Sequence, residues 1–504
     1  MLHELLFPAP PPRVVVQRRE PVYGSHAADA ITLGRYVDRE EGVAEKMRYG
    51  GNQHVVVFGA NGKGKGTRFL MPNLLQIRDA SLVVIDPKGE LAAVTAPYRR
   101  ELGRVVILNP FGVLTDIPSY QDLRSQGFNP LARLDPDKPS FNAQAGLIAE
   151  AMVPVQGNDP HWSLSARALV AALVMYATIE ARKLGKAPTI ARVRELLCQA
   201  SDAAHAGNNW QAVGIPKLAE EMARSKIAGL RNKAAQFTDW NREIQSIAST
   251  ARIQTEPFDD PEIAADLARD SFDFRTLKRE PVTVYLVLPP DMMQRHAKWL
   301  RLVLTAAIQS VMRPRRPGEP KVIFALDEFF ALGHMEIIST VWSLTRGYGV
   351  QMLPILQSLL QLKKLEPEMW ENFLGMAGAV LSFGANDLTS AEWLSRRAGE
   401  TTRNVATFSE STSTTDSGGS TTPGFGSSSY GSTNSGWSTS SNKSTSFAPA
   451  KTALITSHRM MGLRSGFGLV ALDGVSNLIP AYLPAYYEVR ETAFRARRNP
   501  YYLP

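Results

Sequence analysis

A glycine-rich loop that contains Gly-Lys lies within residues 55–75, in the stretch VVVFGANGKGKGTRFLMPNLL. Gly59, Gly64 and Lys65 follow the pattern G-x-x-x-x-G-K. Glycines let backbone N–H groups turn inward around phosphate oxygens, and the lysine can reach the β- and γ-phosphates of a nucleotide. The apolar runs before and after the loop predict the strand and helix that this motif requires. The predicted phosphate-binding residues are Gly59, Ala60, Asn61, Gly62, Lys63, Gly64, Lys65, Gly66 and Thr67.

One position departs from the usual loop. Ser or Thr normally follows Gly-Lys and helps to hold Mg²⁺, whereas this chain has Gly66 there and Thr67 one residue later. The missing hydroxyl can be replaced by Thr67 or by water, so Thr67 is a candidate metal ligand. The alternative interpretation of the whole stretch is a Gly/Lys-rich surface turn that binds nothing.

A pair of carboxylates follows a second apolar run, in VIFALDEFFALG (residues 322–333). In open parallel sheets ligands bind beyond the carboxyl ends of strands, which is where Asp327 and Glu328 should lie. Asp327 is predicted to hold Mg²⁺, directly or through water, and Glu328 to orient and polarise the attacking water. The alternative is an ordinary acidic pair at a strand end.

Three further stretches supply weaker candidates. Gln357 ends the predicted strand LPILQ and could sense the γ-phosphate or hold the water, or simply end the strand. Arg346, in LTRGYG, could stabilise the transferring phosphate, even from a neighbouring subunit, although a solvated helix arginine is the commoner case. Asp86 and Lys88, in SLVVIDPKGEL, are interpreted first as a turn and only second as a wall of the site.

Composition limits the class of protein. A chain of 504 residues is too long to fold around one ordinary hydrophobic core, so two domains are predicted. Its contents of 44% apolar and 21% charged residues are normal for a globular protein. The net charge of +8 is compatible with a polyanionic partner. Cys198 is the single cysteine, which excludes an internal disulfide and favours a reducing, cytoplasmic compartment. No signal peptide is recognisable, and the apolar segment 168–179 is expected to be a core helix.

Alternation of strand and helix patterns predicts an α/β fold with a mostly parallel sheet, interrupted by an all-α insertion. Residues 1–50 are expected to form an irregular N-terminal arm. The nucleotide-binding domain is assigned to residues 51–128 and 276–504, and the insertion to residues 129–275. Within the second part, the Ser/Gly-rich segment 407–447 has too few apolar residues to order itself alone and is predicted to be flexible.

Together these motifs resemble the TraG/TraD family of type IV coupling proteins, over nearly the whole chain from about residue 50. The resemblance is carried by GANGKGKGTRFLMPNLL, SLVVIDPKGEL, GRVVILNPF, GFNPLARL, HWSLSARALVAALV, FALDEFFALG, RGYGVQMLPILQSLLQL, SFGANDLTSAEWLSRRAGE and AYYEVRETAFRARRNP. Many members of that family also have Gly after Gly-Lys, so Gly66 is typical of the family and is not a sign of decay.

The resemblance implies a RecA-like P-loop ATPase that uses ATP and Mg²⁺, assembles as a homo-hexamer around a channel and is stimulated by DNA. Its implied partners are relaxase-bound single-stranded DNA (the relaxosome) and the components of a type IV secretion channel. Typical members begin with transmembrane helices, which this chain lacks. A separate membrane anchor protein and a peripheral place at the inner face of the cytoplasmic membrane are therefore expected. Two alternatives stay open: a receptor ATPase for protein effectors, and a non-hydrolysing substrate adaptor.

The residues that would contact DNA do not follow from the sequence. Basic side chains on predicted helices of the insertion are candidates, although charge on a helix face is usually just solvated. These candidates are Arg182, Lys183, Lys186, Arg231 and Lys233.

Overall fold

The computed structural model of the protein describes residues 27–38, 42–155, 159–199, 214–239, 241–344, 347–416 and 437–502. Thirteen strands lie within these ranges. In chain order they are β1 (Ile31–Asp38), β2 (Gly42–Tyr49), β3 (His54–Phe58), β4 (Ala80–Asp86), β5 (Arg104–Leu108), β6 (Val282–Val287), β7 (Lys321–Leu326), β8 (Val350–Leu356), β9 (Ala377–Ser382), β10 (Glu400–Asp416), β11 (Trp437–Ala453), β12 (Phe467–Leu472) and β13 (Ile479–Tyr482).

Eleven of these strands form one sheet in the order β2-β1-β13-β12-β9-β3-β8-β7-β4-β6-β5. From β9 to β5 every neighbouring pair is parallel, and from β9 to β2 every pair is antiparallel. The parallel strands are continuous runs of Val, Ile, Leu and Ala because both of their faces are covered. The predicted fold class, α/β with a mostly parallel sheet, is confirmed.

Helices cover both faces of this sheet. They are α1 (Met71–Leu74), which continues a π-helical turn at Lys65–Leu70, α2 (Glu90–Leu102), α3 (Phe141–Met152), α4 (Pro160–Lys183), α5 (Ile190–Cys198), α6 (Ile215–Ala223), α7 (Ala228–Ala234), α8 (Arg242–Thr255), α9 (Pro261–Ala268), α10 (Pro290–Val311), α11 (Glu336–Leu344), α12 (Leu359–Leu365), α13 (Trp370–Gly375), α14 (Leu388–Ala398), α15 (Ser457–Met461) and α16 (Arg490–Arg495).

The helical block α3–α9 lies between β5 and β6 in the chain, and the described residues there contain no strand. Its buried side chains belong to the same apolar cluster as those on one face of the sheet. The exact bounds of the predicted domains stay a prediction. What the structure adds is that the block packs on the sheet through a shared core.

Helix α4 contains the apolar segment for which we predict a core position. By length and composition it could also cross a membrane, which the sequence analysis did not anticipate. However, 61% of its most apolar window is buried inside the fold. Residues 169–175 of the helix are all buried, so the prediction of a core helix is confirmed.

Two segments differ from the expectations drawn from sequence. Residues 31–49, expected in an irregular arm, contain β1 and β2, which extend the sheet beyond β13. Irregular register and Gly34, which has a φ of 122°, break the alternating pattern that would reveal β1. The Ser/Gly-rich segment 407–447 was predicted to be flexible, but its described parts pair within the antiparallel ribbon β10–β11.

Buried Arg99 ties α2 to the sheet beneath it. Its guanidinium donates to Thr283 Oγ1 at 2.8 Å and to the carbonyl oxygen of Ile77. Longer contacts reach the carbonyl oxygens of Leu74, at 3.5 Å, and Ala80, at 3.4 Å. The side chain therefore satisfies backbone groups at the end of the helix that follows the phosphate loop and at the start of β4.

We predict that Arg99→Met lowers the free energy of unfolding by about 3 kcal/mol, because it leaves several buried carbonyl oxygens without a donor. Denaturant unfolding measures the change. Arg100→Met is the matched control, since Arg100 is half-exposed and pairs with Asp122 at the surface, which is worth about 1 kcal/mol at most. Equal losses in the two variants would contradict the anchoring role.

Candidate functional site

The predicted site residues of three strands meet at one edge of the sheet. Strands β3, β8 and β7 are neighbours, with Phe58 opposite Leu356 and Leu326 opposite Pro354. The next residues of these strands are Gly59, Gln357 and Asp327. Because all three strands run parallel, their carboxyl ends bring the phosphate loop, the glutamine and the acidic pair together.

The glycines of the loop are required by its backbone. Gly62 and Gly64 have φ angles of 77° and 88°, in the region that favours glycine. A Cβ atom on Gly59 would lie 2.5 Å from the Cβ of Phe383, closer than atoms can approach. The helical turn begins directly after Gly64, so its free N–H groups face the concavity that would hold phosphate.

Lys65 crosses back over its own loop. Its ammonium donates to the carbonyl oxygens of Gly59, at 2.6 Å, and Ala60, at 3.2 Å. Burial lowers the pKa of the Lys65 ammonium, and the neighbouring charges of Asp327 and Glu328 oppose that shift. The charge of Lys65 thus lies close to both the loop and the acidic pair, and its contact with the phosphates of a nucleotide stays a prediction.

Two carboxyl groups at this edge have strongly raised pKa values. Loss of water raises the pKa of Asp327 to about 7, helped by the charge of Glu328 and opposed by that of Lys65. Part of the Asp327 surface is accessible, but protein surrounds most of its carboxylate. Burial likewise raises the pKa of Asp86 to about 7, although its Oδ2 accepts a 2.8 Å hydrogen bond from the amide of Ala92. Burial at this edge therefore disfavours the charged forms of both carboxyl groups, which a nearby cation would stabilise.

Glu328 has an unusual backbone conformation. Its φ and ψ are 53° and 42°, and among the described residues only Leu114 is another non-glycine residue with positive φ. Gln357 Nε2 donates to Glu328 Oε2 at 3.2 Å. Left-handed backbone at such a residue costs about 1–2 kcal/mol and persists where surrounding structure imposes it. Glu328 is thus held by Gln357 while its charge still acts on Asp327.

The donor set fits a magnesium–nucleotide complex. Within the described part of the chain, no three His, Cys, Asp or Glu side chains are grouped so that they could hold a metal alone. Mg²⁺ typically takes one or two protein oxygens and completes its shell with water and phosphate. Asp327 and the hydroxyl of Thr67 are the predicted ligands, and each lies at the edge formed by the loop and β7.

The remaining loop residues have distinct surroundings. Asn61 and Gly62 are exposed, and Lys63 Nζ donates to the carbonyl oxygen of Leu463 at 3.2 Å. The carbonyl oxygen of Thr67 accepts a hydrogen bond from the amide of Tyr486 at 2.9 Å. No atom lies within 4 Å of the place that a Cβ atom on Gly66 would take, so a side chain could be accommodated at this position.

Arg346 lies outside the described residues. The flanking residue Gly347 precedes the amino end of β8, whereas the site lies beyond the carboxyl ends of the strands. Of the basic candidates on the helical block, Arg182 pairs with Asp135 and Asp137, and Arg231 donates to the carbonyl oxygen of Ser225. Lys183 and Lys186 are exposed.

Sequence reasoning underestimated the acidic and C-terminal residues of the site. Asp86, interpreted first as a turn residue, is buried beside the charge of Asp327. Residues 483–502 also lie along this edge: Asn499 Nδ2 donates to Glu90 Oε1 at 2.7 Å, and Arg68 pairs with Glu488. The sequence of this segment, AYYEVRETAFRARRNP, has no residue spacing typical of a nucleotide site, so its place beside the site could not be predicted.

Comparison with known proteins identifies the family and the fold. The family model described as "Type IV secretory system Conjugative DNA transfer" matches residues 21–501. The conjugal transfer protein TraG of Escherichia coli is 25% identical over 392 residues, which are 74% of this chain and 59% of that protein. Protein VirD4 of Rhizobium rhizogenes is 26% identical over 392 residues, or 76% of this chain and 53% of that protein. The chain thus spans little more than half the length of these relatives.

Among solved structures, the plasmid coupling protein TrwB in complex with the ATP analogue ADPNP has a TM-score of 0.59 at 14% identity, covering 92% of this chain and 97% of that chain. TrwB in complex with ADP and Mg²⁺ has a TM-score of 0.58 at 15% identity, covering 86% of this chain and 85% of that one. This likeness confirms the RecA-like fold.

We predict that Gly66→Ser lowers the Mg²⁺ concentration needed for half-maximal ATP binding by about five-fold, the effect of one added ligand or hydrogen bond. The open space beside Gly66 accommodates the side chain. Titration of Mg²⁺ at fixed ATP measures the change. Gly66→Ala separates the hydroxyl from the gain in helix propensity. A Mg²⁺ requirement that is identical in the Ser and Ala variants would show that the hydroxyl does not reach the metal.

Proposed function

Because this chain belongs to the type IV secretory system conjugative DNA-transfer family, we propose that it is an ATP-hydrolysing coupling protein that recruits relaxase-bound single-stranded DNA and pumps it to a conjugation channel. One observation carries the catalytic part: Lys65, Asp327, Glu328 and Gln357 converge at the carboxyl ends of three neighbouring strands. A non-hydrolysing adaptor has no need of this arrangement.

Each residue has a role that its position supports. Lys65 neutralises charge on the β- and γ-phosphates, for which it exchanges its contacts with the loop carbonyls. Asp327 and Thr67 would hold Mg²⁺, which would supply charge stabilisation to the transferring phosphate. The charge of Lys65 opposes the rise in the pKa of Asp327, and a bound divalent cation would favour the charged carboxylate further.

Glu328 and Gln357 act on the water. The carboxylate of Glu328 accepts a hydrogen bond from Gln357, and its remaining lone pairs would accept one from the attacking water. We therefore assign Glu328 to activation of the water and Gln357 to its orientation.

DNA rather than a protein effector is the substrate we favour. The family description concerns DNA transfer, and the net charge of +8 suits a phosphate backbone. Family membership also motivates the proposals of a hexamer around a channel and of relaxase and channel partners. A place at the inner face of the cytoplasmic membrane, reached through a separate anchor protein, stays a prediction.

The decisive measurement is ATP hydrolysis with and without single-stranded DNA. We predict that Lys65→Ala abolishes turnover, and that Glu328→Gln lowers it about a hundred-fold or more while ATP binding persists, because the amide cannot accept a proton from water. Stimulation by DNA should fade as salt rises, since contacts to the backbone release counterions.

Normal turnover in Lys65→Ala would overturn the site assignment. An ATPase that ignores DNA but responds to a protein substrate would support the effector receptor instead. Circular dichroism and the unfolding midpoint of both variants serve as controls for folding.

Arg346 lies outside the described residues, and we propose from its sequence motif LTRGYG alone that it stabilises the transferring phosphate bound to a neighbouring copy. We predict that Arg346→Ala binds ATP almost normally and loses turnover by about a thousand-fold. Mixing it with Lys65→Ala protein in the presence of DNA should restore part of the activity. If mixing restores no ATP turnover and Arg346→Ala alone turns over ATP at a near-normal rate, the proposal is wrong and Arg346 is a solvated surface residue.

A further inference from the structure

A buried arginine connects three parts of the chain close to the candidate hydrolytic carboxylate. Arg301 lies in the middle of α10, and only 3% of its surface is accessible. Its Nη1 atom donates to the carbonyl oxygens of Leu332 and His334, both at 2.7 Å. Its Nε atom approaches the carbonyl oxygen of Ala151, near the end of α3, at 3.4 Å. The described acceptors of this guanidinium are thus backbone carbonyl oxygens.

A charged side chain in this place costs free energy that its hydrogen bonds must offset. Burial lowers the pKa of the Arg301 guanidinium to about 10, and the charge of Glu150 opposes this shift. The guanidinium therefore remains charged at neutral pH, although removing a charge from water is expensive. An apolar side chain of similar size would fill the same space. What arginine adds is several donors in a fixed planar arrangement, and here two of its contacts reach one short segment.

That segment begins at Glu328. The left-handed backbone of Glu328 leads into a short 3-10 turn, Phe329–Leu332, which ends at Gly333. The amide of Ala331 donates to the carbonyl oxygen of Glu328 at 2.9 Å. Strained backbone of this kind persists where the surrounding structure imposes it. Because a single turn separates Glu328 from the carbonyls that Arg301 holds, these hydrogen bonds constrain the backbone from which the Glu328 side chain extends.

The same segment is tied to the glutamine of the site. Nδ1 of His334 lies 2.7 Å from Oε1 of Glu366, the residue directly after α12. In the first turn of α12, Oε1 of Gln361 accepts a 2.8 Å hydrogen bond from the amide of Gln357. Glu328 and Gln357, which are hydrogen-bonded to each other, therefore belong to two backbone segments that meet at His334.

One side of the segment faces a cavity. This cavity has a volume of about 370 Å³ and lies between the segment, α10 and the end of α3. Leu332, Gly333 and His334 line it together with Arg301. Protein interiors are otherwise closely packed, and close packing is what usually fixes the position of a turn. On this side, the position of the segment depends more on the hydrogen bonds of Arg301 than on packing.

We propose that Arg301 is a positioning residue for ATP hydrolysis: it holds the turn after β7, sets the place of the Glu328 carboxylate and so controls the rate without contacting the nucleotide. The inference rests on the proposed function and extends it to a residue outside the site. A displacement of about 1 Å in a catalytic group can lower a rate about a hundred-fold, so a side chain that fixes one turn is sufficient for a measurable effect.

The test compares ATP affinity with the rate of hydrolysis in Arg301→Met. The dissociation constant of ATP should stay nearly unchanged, whereas kcat should fall about ten-fold or more, because the carboxylate loses its alignment with the water. Arg194→Met is the matched control. Arg194 is also buried and donates to the carbonyl oxygen of Arg252, but it lies on α5, within the helical block. Its loss should lower the unfolding midpoint and leave kcat unchanged.

A second comparison places Arg301→Met in the Glu328→Gln background, with turnover measured at enzyme excess. If Arg301 acts through Glu328, its replacement should cause little further loss once the carboxylate is gone, because residues that act as a unit are not additive. Arg301→Lys keeps the charge and part of the donors, so it should show the same pattern with a smaller loss. It takes the place of the Met variant if circular dichroism shows that the latter is unfolded.

An unchanged kcat in folded Arg301→Met would overturn the inference and leave the nucleotide site intact. Loss of turnover by the same factor with and without Glu328→Gln would also overturn it, because Arg301 would then not act through the carboxylate. So would a loss of ATP affinity as large as the loss of rate, since Arg301 would then support the whole domain. A wild type that binds ATP without hydrolysing it would overturn the proposed function, and this inference with it.

Discussion

The concentration of charge at one edge of the sheet is the constraint on which the rest of the structure depends. Asp86 is buried, Asp327 is largely stripped of water, and both have pKa values raised to about 7. Lys65, whose own pKa is lowered by burial, is the nearby countercharge. Such a cluster costs folding free energy, and it becomes favourable when phosphate and a divalent cation share the charges.

The rest of the domain holds these groups in place. Continuous apolar strands fix the three carboxyl ends at neighbouring positions, and Arg99 satisfies the backbone where the phosphate-loop helix ends and β4 begins. The C-terminal segment, residues 483–502, then joins the start of that helix to the turn after β4. The strands of the sheet and the C-terminal segment thus together hold the charged edge in place.

The helical block is physically connected to this edge. Arg301 on α10 donates to the carbonyl oxygens of Leu332 and His334, both at 2.7 Å, in the segment that follows Asp327 and Glu328. It also approaches the carbonyl oxygen of Ala151 on α3 at 3.4 Å. Together with the shared apolar core, this contact connects the block to the segment that follows Asp327 and Glu328.

The sequence by itself determined the nature of the site and the class of fold. Glycine spacing before Lys65 and the run of apolar residues before Asp327 are local patterns with local physical causes, so they could be read without a structure. The central strands were predicted for the same reason, whereas β1 and β2 were not, because Gly34 and an irregular register disturb their alternation. The roles of all the predicted site residues, Thr67 and Arg346 among them, remain predictions.

Only the tertiary structure decided which distant residues share the site. The order β3-β8-β7-β4 does not follow the chain, so the closeness of Gln357 to Glu328 and of Asp86 to Asp327 depends on strand pairing. The same holds for the C-terminal segment, residues 483–502, which lies more than 400 residues from the phosphate loop in the chain, yet the amide of Tyr486 donates a hydrogen bond to the carbonyl oxygen of Thr67. Sequence patterns report neighbours within one strand or helix, whereas long-range pairing is fixed by packing of the whole sheet.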